Sequence, residues 1–154
     1  LSEGILNDGW PLLEESRGKA IFVLLAGGDM RDLYLEEHPG LIGALMFTLS
    51  PEGSSEASIF SRTDPVGSGE DIARLVSEGY IVRTRADSGG GEADNNDTAR
   101  FAAALASGAH SISTDYPGPV DGMDYWIAIP NGTPSRCNPI VAPVHCTSAA
   151  LESL

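Results

Sequence analysis

Long apolar runs are absent from this chain. The longest is the seven-residue run from Ala20 to Ala26, whereas a membrane-spanning helix needs about 20 apolar residues. The sequence therefore predicts no transmembrane segment. At 154 residues the chain has the size of one domain.

Basic side chains are scarce. Lysine and arginine together number 9 against 22 aspartate and glutamate residues, which gives a formal net charge of −13 at pH 7. A surface of this sign repels nucleic-acid backbones and anionic bilayers. Nucleic acid is therefore not expected as a partner.

Cysteine is scarce as well, and the two residues present, Cys137 and Cys146, lie in the segment RCNPIVAPVHC. Their spacing allows either a local disulfide in an exported protein, which we prefer, or two unpaired thiols. A zinc site is not expected, because only His145 lies near them and four ligands are normally required. The N-terminus has neither Met nor a signal-peptide pattern, so we expect a processed precursor or a fragment.

Strand and helix patterns alternate through residues 1–117. The segments typical of strands are 20–28, 44–50, 80–86 and 110–114. Between them the clearest helical patterns are GSGEDIARLVSEG and DNNDTARFAAALASG, each with acidic residues near its start and glycine at its end. This order predicts βαβ units, an α/β fold class and a parallel sheet. The run at 20–28 is expected to be buried on both faces.

Residues 118–154 form a different kind of segment. They are rich in proline and glycine and contain one hairpin-like stretch, MDYWIAIPNG, followed by the two cysteines. We therefore expect a single incomplete domain in which 118–154 is a C-terminal tail that closes over the sheet.

The third predicted strand, IVRTRAD, carries the clearest candidate site. Side chains alternate along a strand, so Arg83, Arg85 and Asp87 share one face. The fourth strand ends in STDYP, which places Asp115 and Tyr116 beside the arginines if the two strands are neighbours. Two interpretations remain open: a site for an anion or a polyol substrate, and a structural ion network that includes Asp29.

Histidines do not contribute to this end of the sheet. His38 precedes the second strand, His110 opens the fourth, and His145 lies in the tail. We expect them to be capping or packing residues, which leaves no histidine for acid or base chemistry at the site. A divalent metal ion there has candidate ligands in the acidic residues that follow the strands: Asp29, Glu52, Asp64, Asp87 and Glu92.

A family resemblance rests on five blocks in order: WPLLEESRGKAIFVL, HPGLIGALMF, GYIVRTRAD, NDTARFAAALASGAHSISTDYP and RCNPI. Together they resemble the C-terminal half of the calcium-dependent phosphoinositide phospholipase C family. The resemblance implies a TIM (β/α)8 barrel, of which residues 1–117 would supply strands five to eight. It also implies that the catalytic histidines and most Ca2+ ligands lie upstream, in the N-terminal half of the same barrel.

The expected function is therefore that of a secreted, extracellular phosphodiesterase. Its substrate would be a small-molecule or lipid head-group phosphodiester of the phosphoinositide or glycerophospho type, bound by Arg83, Arg85, Asp115 and Tyr116. Chemistry would be base-assisted attack on phosphorus, with a metal ion or arginine stabilising the charge. The chain by itself would be inactive. The alternative is a non-catalytic phosphate- or polyol-binding barrel domain.

Overall fold

The computed structural model of the chain describes residues 2–131 and 133–152. They form two compact units. The first comprises the residues up to Ser61 together with Glu78–Ile81, and the second comprises Arg62–Ser77 and the residues from Val82 onward.

The first unit contains short helices and three short strands. Its helices are α1 (Ser2–Asp8), α2 (Leu13–Ser16) and α3 (Gly28–Glu37), followed by a 3-10 turn at Pro39–Leu41. Its strands are β1 (Val23–Leu24), β2 (Phe47–Thr48) and β3 (Ile59–Ser61). Strands β1 and β2 pair in parallel, with Val23 opposite Phe47.

The expectation of a continuous buried strand at 20–28 is wrong. Only Val23–Leu24 is strand, and Ile21, Phe22 and Leu25 are 56 %, 62 % and 64 % exposed. A strand is buried on both faces only where other elements pack against both of them. Strand β1 pairs with the two-residue β2, and strand pairing covers an edge of β1 rather than a face. Helix α3 then begins at Gly28, at the end of the segment where the strand was expected.

The second unit holds the longest strand, β4 (Ile81–Arg85), which begins in the first unit and continues into this one. Its other elements are α4 (Gly69–Ser77), α5 (Gly91–Asp94), α6 (Ala99–Ala106), β5 (Ser111–Ser113) and α7 (Ser148–Glu152). Strands β4 and β5 are parallel, with Arg85 opposite Ser113. The α/β class with parallel strands, arranged as two small sheets, is therefore confirmed.

Helix α4 buries the apolar face that its sequence pattern predicts. Its apolar residues Ile72, Leu75 and Val76 recur at helical spacing and are all buried, as expected for an amphipathic helix. Helix α6 contributes Phe101 and Ala104 to the same core. Helices α4 and α6 contact each other in the second unit.

The tail is closed by a disulfide between Cys137 and Cys146, whose Cα atoms are 5.9 Å apart. The hairpin expected at 123–132 is not formed among the described residues of that segment, and Gly132 lies outside them. The segment instead carries one bridge, between Val120 and Met123. Prolines and glycines in this stretch limit ladder formation.

The helices in the described part of the chain are all short. None of them combines the length and the apolar character needed to cross a membrane.

Candidate functional site

Strand β4 presents two different faces. Val82, Thr84 and Ala86 are completely buried, whereas Arg83 and Arg85 are partly exposed. This is the alternation that the sequence predicts for an extended strand. The arginines are consequently half-buried rather than buried, with 28 % of the Arg85 side chain exposed.

Arg85 contacts two carboxylates at the carboxyl end of the strand. Its Nη2 donates to Oδ2 of Asp115 at 2.6 Å and to Oδ1 of Asp87 at 3.4 Å. Its Nε donates to the backbone carbonyl of Asp87 at 3.0 Å. Hydrogen bonds to Asp87 and Asp115 raise the pKa of Arg85 above its ordinary value, so the guanidinium stays charged.

Asp87 connects β4 to the end of β5. Its side chain is 1 % exposed. Oδ2 accepts a short hydrogen bond from Thr114 Oγ1, and Oδ1 accepts one from the Asp115 backbone N–H at 3.2 Å. A buried carboxylate needs such partners, because an uncompensated charge in the interior is costly.

Thr114 extends the network to Tyr116, since its Oγ1 accepts the backbone N–H of Tyr116 at 2.9 Å. The Tyr116 ring packs edge-on against Tyr125, with ring centroids 5.1 Å apart. Tyr125 is 1 % exposed, and its hydroxyl has no hydrogen-bond partner among the described residues. Burial, reinforced by the charge of Asp87, raises the pKa of Tyr125 and keeps its hydroxyl protonated.

The structure thus brings Arg85, Asp115 and Tyr116 together at the ends of β4 and β5. Arg83 lies two residues earlier on the same face, opposite Ser111. Asp29, the further member of the alternative ion network, belongs to the first unit, at the start of α3.

Sequence reasoning missed two parts of this arrangement. Thr114 and Tyr125 were not singled out, although Thr114 stands inside the STDYP block. Asp87 was placed with the arginines by alternation, but strand β4 ends at Arg85. Asp87 therefore lies in the loop after the strand, with its side chain 1 % exposed.

The acidic residues considered for a metal ion do not assemble into a site. Within residues 2–131 and 133–152, no group of three or more histidine, cysteine, aspartate or glutamate side chains could hold a metal ion. Asp64 and Glu92 instead face Arg100, at 3.5 and 3.8 Å, and the Asp87 oxygens are taken by Arg85, Thr114 and Asp115. These residues therefore do not fit a Ca2+ site, which needs six to eight oxygen ligands.

Two histidines, His110 and His145, belong to the second unit. His110 precedes β5, and its Nδ1 accepts the Val82 backbone N–H at 3.3 Å. Strand β5 separates His110 from Asp115, and Arg85 lies opposite Ser113 at the far end of that strand. His145 lies in the disulfide-closed loop.

The chain matches the model of a known protein family over most of its length. The model of a family described as phosphoinositide phospholipase C, Ca2+-dependent, matches residues 1–139. Neither the curated proteins nor the solved structures gave a match.

Proposed function

Because the chain belongs to the Ca2+-dependent phosphoinositide phospholipase C family, we propose that it supplies phosphodiester-binding residues to an enzyme that hydrolyses phosphoinositide-like or glycerophospho substrates. Arg83 and Arg85 form the anion-binding wall. Asp115 and Tyr116 contact the polyol attached to the phosphate.

One observation carries this proposal. The Arg85 guanidinium is held at the carboxyl end of a parallel strand, where α/β proteins build their sites, and 28 % of the side chain remains exposed. A planar guanidinium suits an oxyanion because it can donate two parallel hydrogen bonds. In the transition state of phosphoryl chemistry it would stabilise the developing negative charge.

The polyol contacts follow from the neighbouring side chains. The Asp115 side chain is 67 % exposed and can accept a hydrogen bond from a hydroxyl group. Tyr116 follows it in sequence and is partly exposed, so its phenol can donate to, or accept from, the same ligand.

Three further features belong to the same proposal. The four strands that pair in parallel, β1 with β2 and β4 with β5, would be strands five to eight of a TIM barrel. The disulfide favours an extracellular location, since such bonds persist in oxidising compartments. The described residues do not form a site for calcium, so their proposed contacts with the substrate involve no metal ion.

A second candidate function is non-catalytic binding of a phosphate or polyol. It is favoured by the position of His110, whose Nδ1 is occupied by the Val82 N–H at the start of the strands. We therefore expect the 154-residue chain to bind substrate analogues without hydrolysing them. Metal-stimulated hydrolysis by this chain would contradict that expectation, and hydrolysis by the complete gene product would favour the enzyme over the binding domain.

The test of the site is calorimetric titration with glycerophosphoinositol. Arg83→Lys and Arg85→Lys keep the charge but lose the planar fork, so we expect Arg85→Lys to weaken binding about tenfold, which corresponds to about 1.4 kcal/mol. Arg74→Lys is the matched control, because Arg74 is exposed and pairs with Asp71 on α4. Unchanged binding together with a lower melting temperature in both site variants would leave only the structural ion network.

A further inference from the structure

We propose that Asp115 occupies part of the phosphate-binding edge of Arg85 in the free protein and yields it to an incoming oxyanion, whereas Asp87 holds Arg85 in place throughout. This inference rests on the proposed function, because it takes Arg85 as the phosphate ligand.

Asp87 contacts Nε and Nη2 of the guanidinium, whereas Asp115 contacts Nη2 alone. A guanidinium can hold an oxygen pair along its Nε and Nη2 edge or along its Nη1 and Nη2 edge. Asp87 lies along the first, with its carbonyl 3.0 Å from Nε and its Oδ1 3.4 Å from Nη2. Because Asp87 spans Nε and Nη2, we assign the 2.6 Å contact of Asp115 Oδ2 to the other Nη2 hydrogen, which faces the Nη1 edge.

The Nη1 and Nη2 edge is therefore only half occupied. Nη1 of Arg85 makes no hydrogen bond to any residue that the structure describes. An oxyanion that replaced Asp115 would gain both donors of this edge, whereas Asp115 uses one. The replacement leaves the contacts of Asp87 untouched.

Burial separates the roles of the two carboxylates. Asp87 is 1 % exposed and is fixed by Thr114 and by the Asp115 backbone, whereas the Asp115 side chain is 67 % exposed. An exposed ion pair contributes little stability, so its exchange for a two-pronged oxyanion contact is favourable. The Asp115 backbone N–H stays on Asp87 while the side chain rotates away.

The released Asp115 carboxylate is then available to a hydroxyl of the substrate. The site would thus prefer phosphate esters whose polyol carries a free hydroxyl close to the phosphate, because only these use both Arg85 and Asp115.

The experiment measures the affinity of the 154-residue chain for inorganic sulfate by calorimetry, which probes the anion contact without a polyol. Asp115→Ala removes the competing carboxylate and keeps the backbone N–H. We expect it to tighten sulfate binding about two- to fivefold, the range that corresponds to an exposed ion pair. Asp121→Ala is the control for the loss of one negative charge, since Asp121 is exposed.

A second measurement follows the Arg85 Nε–H signal by NMR. We expect the signal to stay protected from exchange in Asp115→Ala and to lose protection in Asp87→Asn, because the Asp87 side chain fixes the loop whose carbonyl holds Nε. If Asp87→Asn does not fold, Thr114→Val removes one anchor of Asp87 and should reduce the protection in part.

The outcomes separate this inference from the proposed function. Tightening in Asp115→Ala beyond that in Asp121→Ala supports the exchange. Equal or weaker binding overturns it, even where Arg85→Lys lowers the affinity for sulfate and so upholds Arg85 as an anion ligand. Sulfate binding that Arg85→Lys leaves unchanged would remove both proposals.

Discussion

The side chains of Asp87 and Thr114 are hydrogen-bonded to each other although 27 positions separate them in the sequence. The bond joins the loops that follow two neighbouring parallel strands, β4 and β5. Because Thr114 also accepts the Tyr116 N–H and Asp87 also accepts from Arg85, this pair fixes the positions of the candidate ligands at both strand ends.

Thr114→Val should test the importance of this bond for stability. The substitution keeps the shape of the side chain but leaves one oxygen of the buried Asp87 carboxylate without its donor. A buried group that loses its partner costs about 1–3 kcal/mol. We expect a decrease of this size in the free energy of unfolding, measured by urea denaturation at pH 7.

Thr98→Val provides the control, because Thr98 is exposed and its hydroxyl makes no capping hydrogen bond to α6. Its effect should stay within about 0.5 kcal/mol. Equal unfolding free energies for the Thr114 and Thr98 variants would show that the Asp87 contact contributes little.

The faces of β4 and α4 could be predicted from sequence because their burial repeats with the period of the backbone. Val82 and Thr84 on the strand, and Ile72 and Leu75 on the helix, are all completely buried. Alternation stops being informative where the backbone stops being extended. That is why Asp87 could be buried in the loop after Arg85 without any signal in the pattern.

The buried strand predicted at 20–28 is wrong for a different reason. Its apolar composition indicates a preference for burial, but burial also requires elements that cover it, and these are set by tertiary packing. Ile21 and Leu25 accordingly remain more than half exposed.

The site at Arg85 could be predicted in part. Its partner Asp115 follows the adjacent strand, so the sequence places the two side chains near each other. The hydrogen bond from Thr114 to Asp87 depends instead on the geometry of the loops.

The ion pairs that Asp71 of α4 makes with Arg62 and Arg74 predict that the free energy of unfolding depends on pH. Hydrogen bonds from Arg62 Nε at 2.7 Å and Arg74 Nη2 at 2.6 Å lower the pKa of Asp71 below its usual value. The resulting stabilisation is fully present above the pKa of Asp71 in the unfolded chain and is lost as the pH falls through the lower pKa of the folded state.

Asp71→Asn should therefore lower the free energy of unfolding at pH 7 by at most about 1 kcal/mol, because the Asp71 side chain is 38 % exposed and solvent screens the pair. The difference from the wild type should shrink as the pH falls below 3.8, the ordinary pKa of an aspartate side chain. Urea denaturation at pH 7, 4 and 3 measures it. A difference independent of pH would exclude the ion pairs as its cause.

Reduction of the Cys137–Cys146 disulfide should affect the tail more than the sheet. The bond closes a loop with a sequence separation of 9, for which chain entropy gives a stabilisation of about 2.7 kcal/mol. Hydrogen exchange after reduction and alkylation should accelerate near Asn138, whose side chain donates to the Gly108 carbonyl at 2.7 Å. The amides of β4 should keep their protection. Two free thiols in the unreduced, unfolded protein would exclude the disulfide.

Gly108 should tolerate substitution poorly, for two separable reasons. It follows the C-cap of α6 with φ of +76°, a left-handed conformation that costs a residue with a Cβ about 1–2 kcal/mol. A Cβ there would also lie 2.5 Å from Cδ1 of Ile140. Gly108→Ala should therefore lower the free energy of unfolding by more than the backbone cost, and Gly118→Ala, where a Cβ meets nothing within 4 Å, should change it little.

The larger steric part can be isolated with Ile140→Ala, which removes the atoms at 2.5 and 2.9 Å from the new Cβ and leaves only Asn138 Oδ1 at 3.3 Å. In that background the cost of Gly108→Ala should fall to about 1–2 kcal/mol, the part due to the backbone alone. Ile140 is 38 % exposed, so its own truncation should be mild and the double variant should remain folded. An identical cost of Gly108→Ala in both backgrounds would mean that Ile140 moves aside freely, and that the tail is not packed firmly against the end of α6.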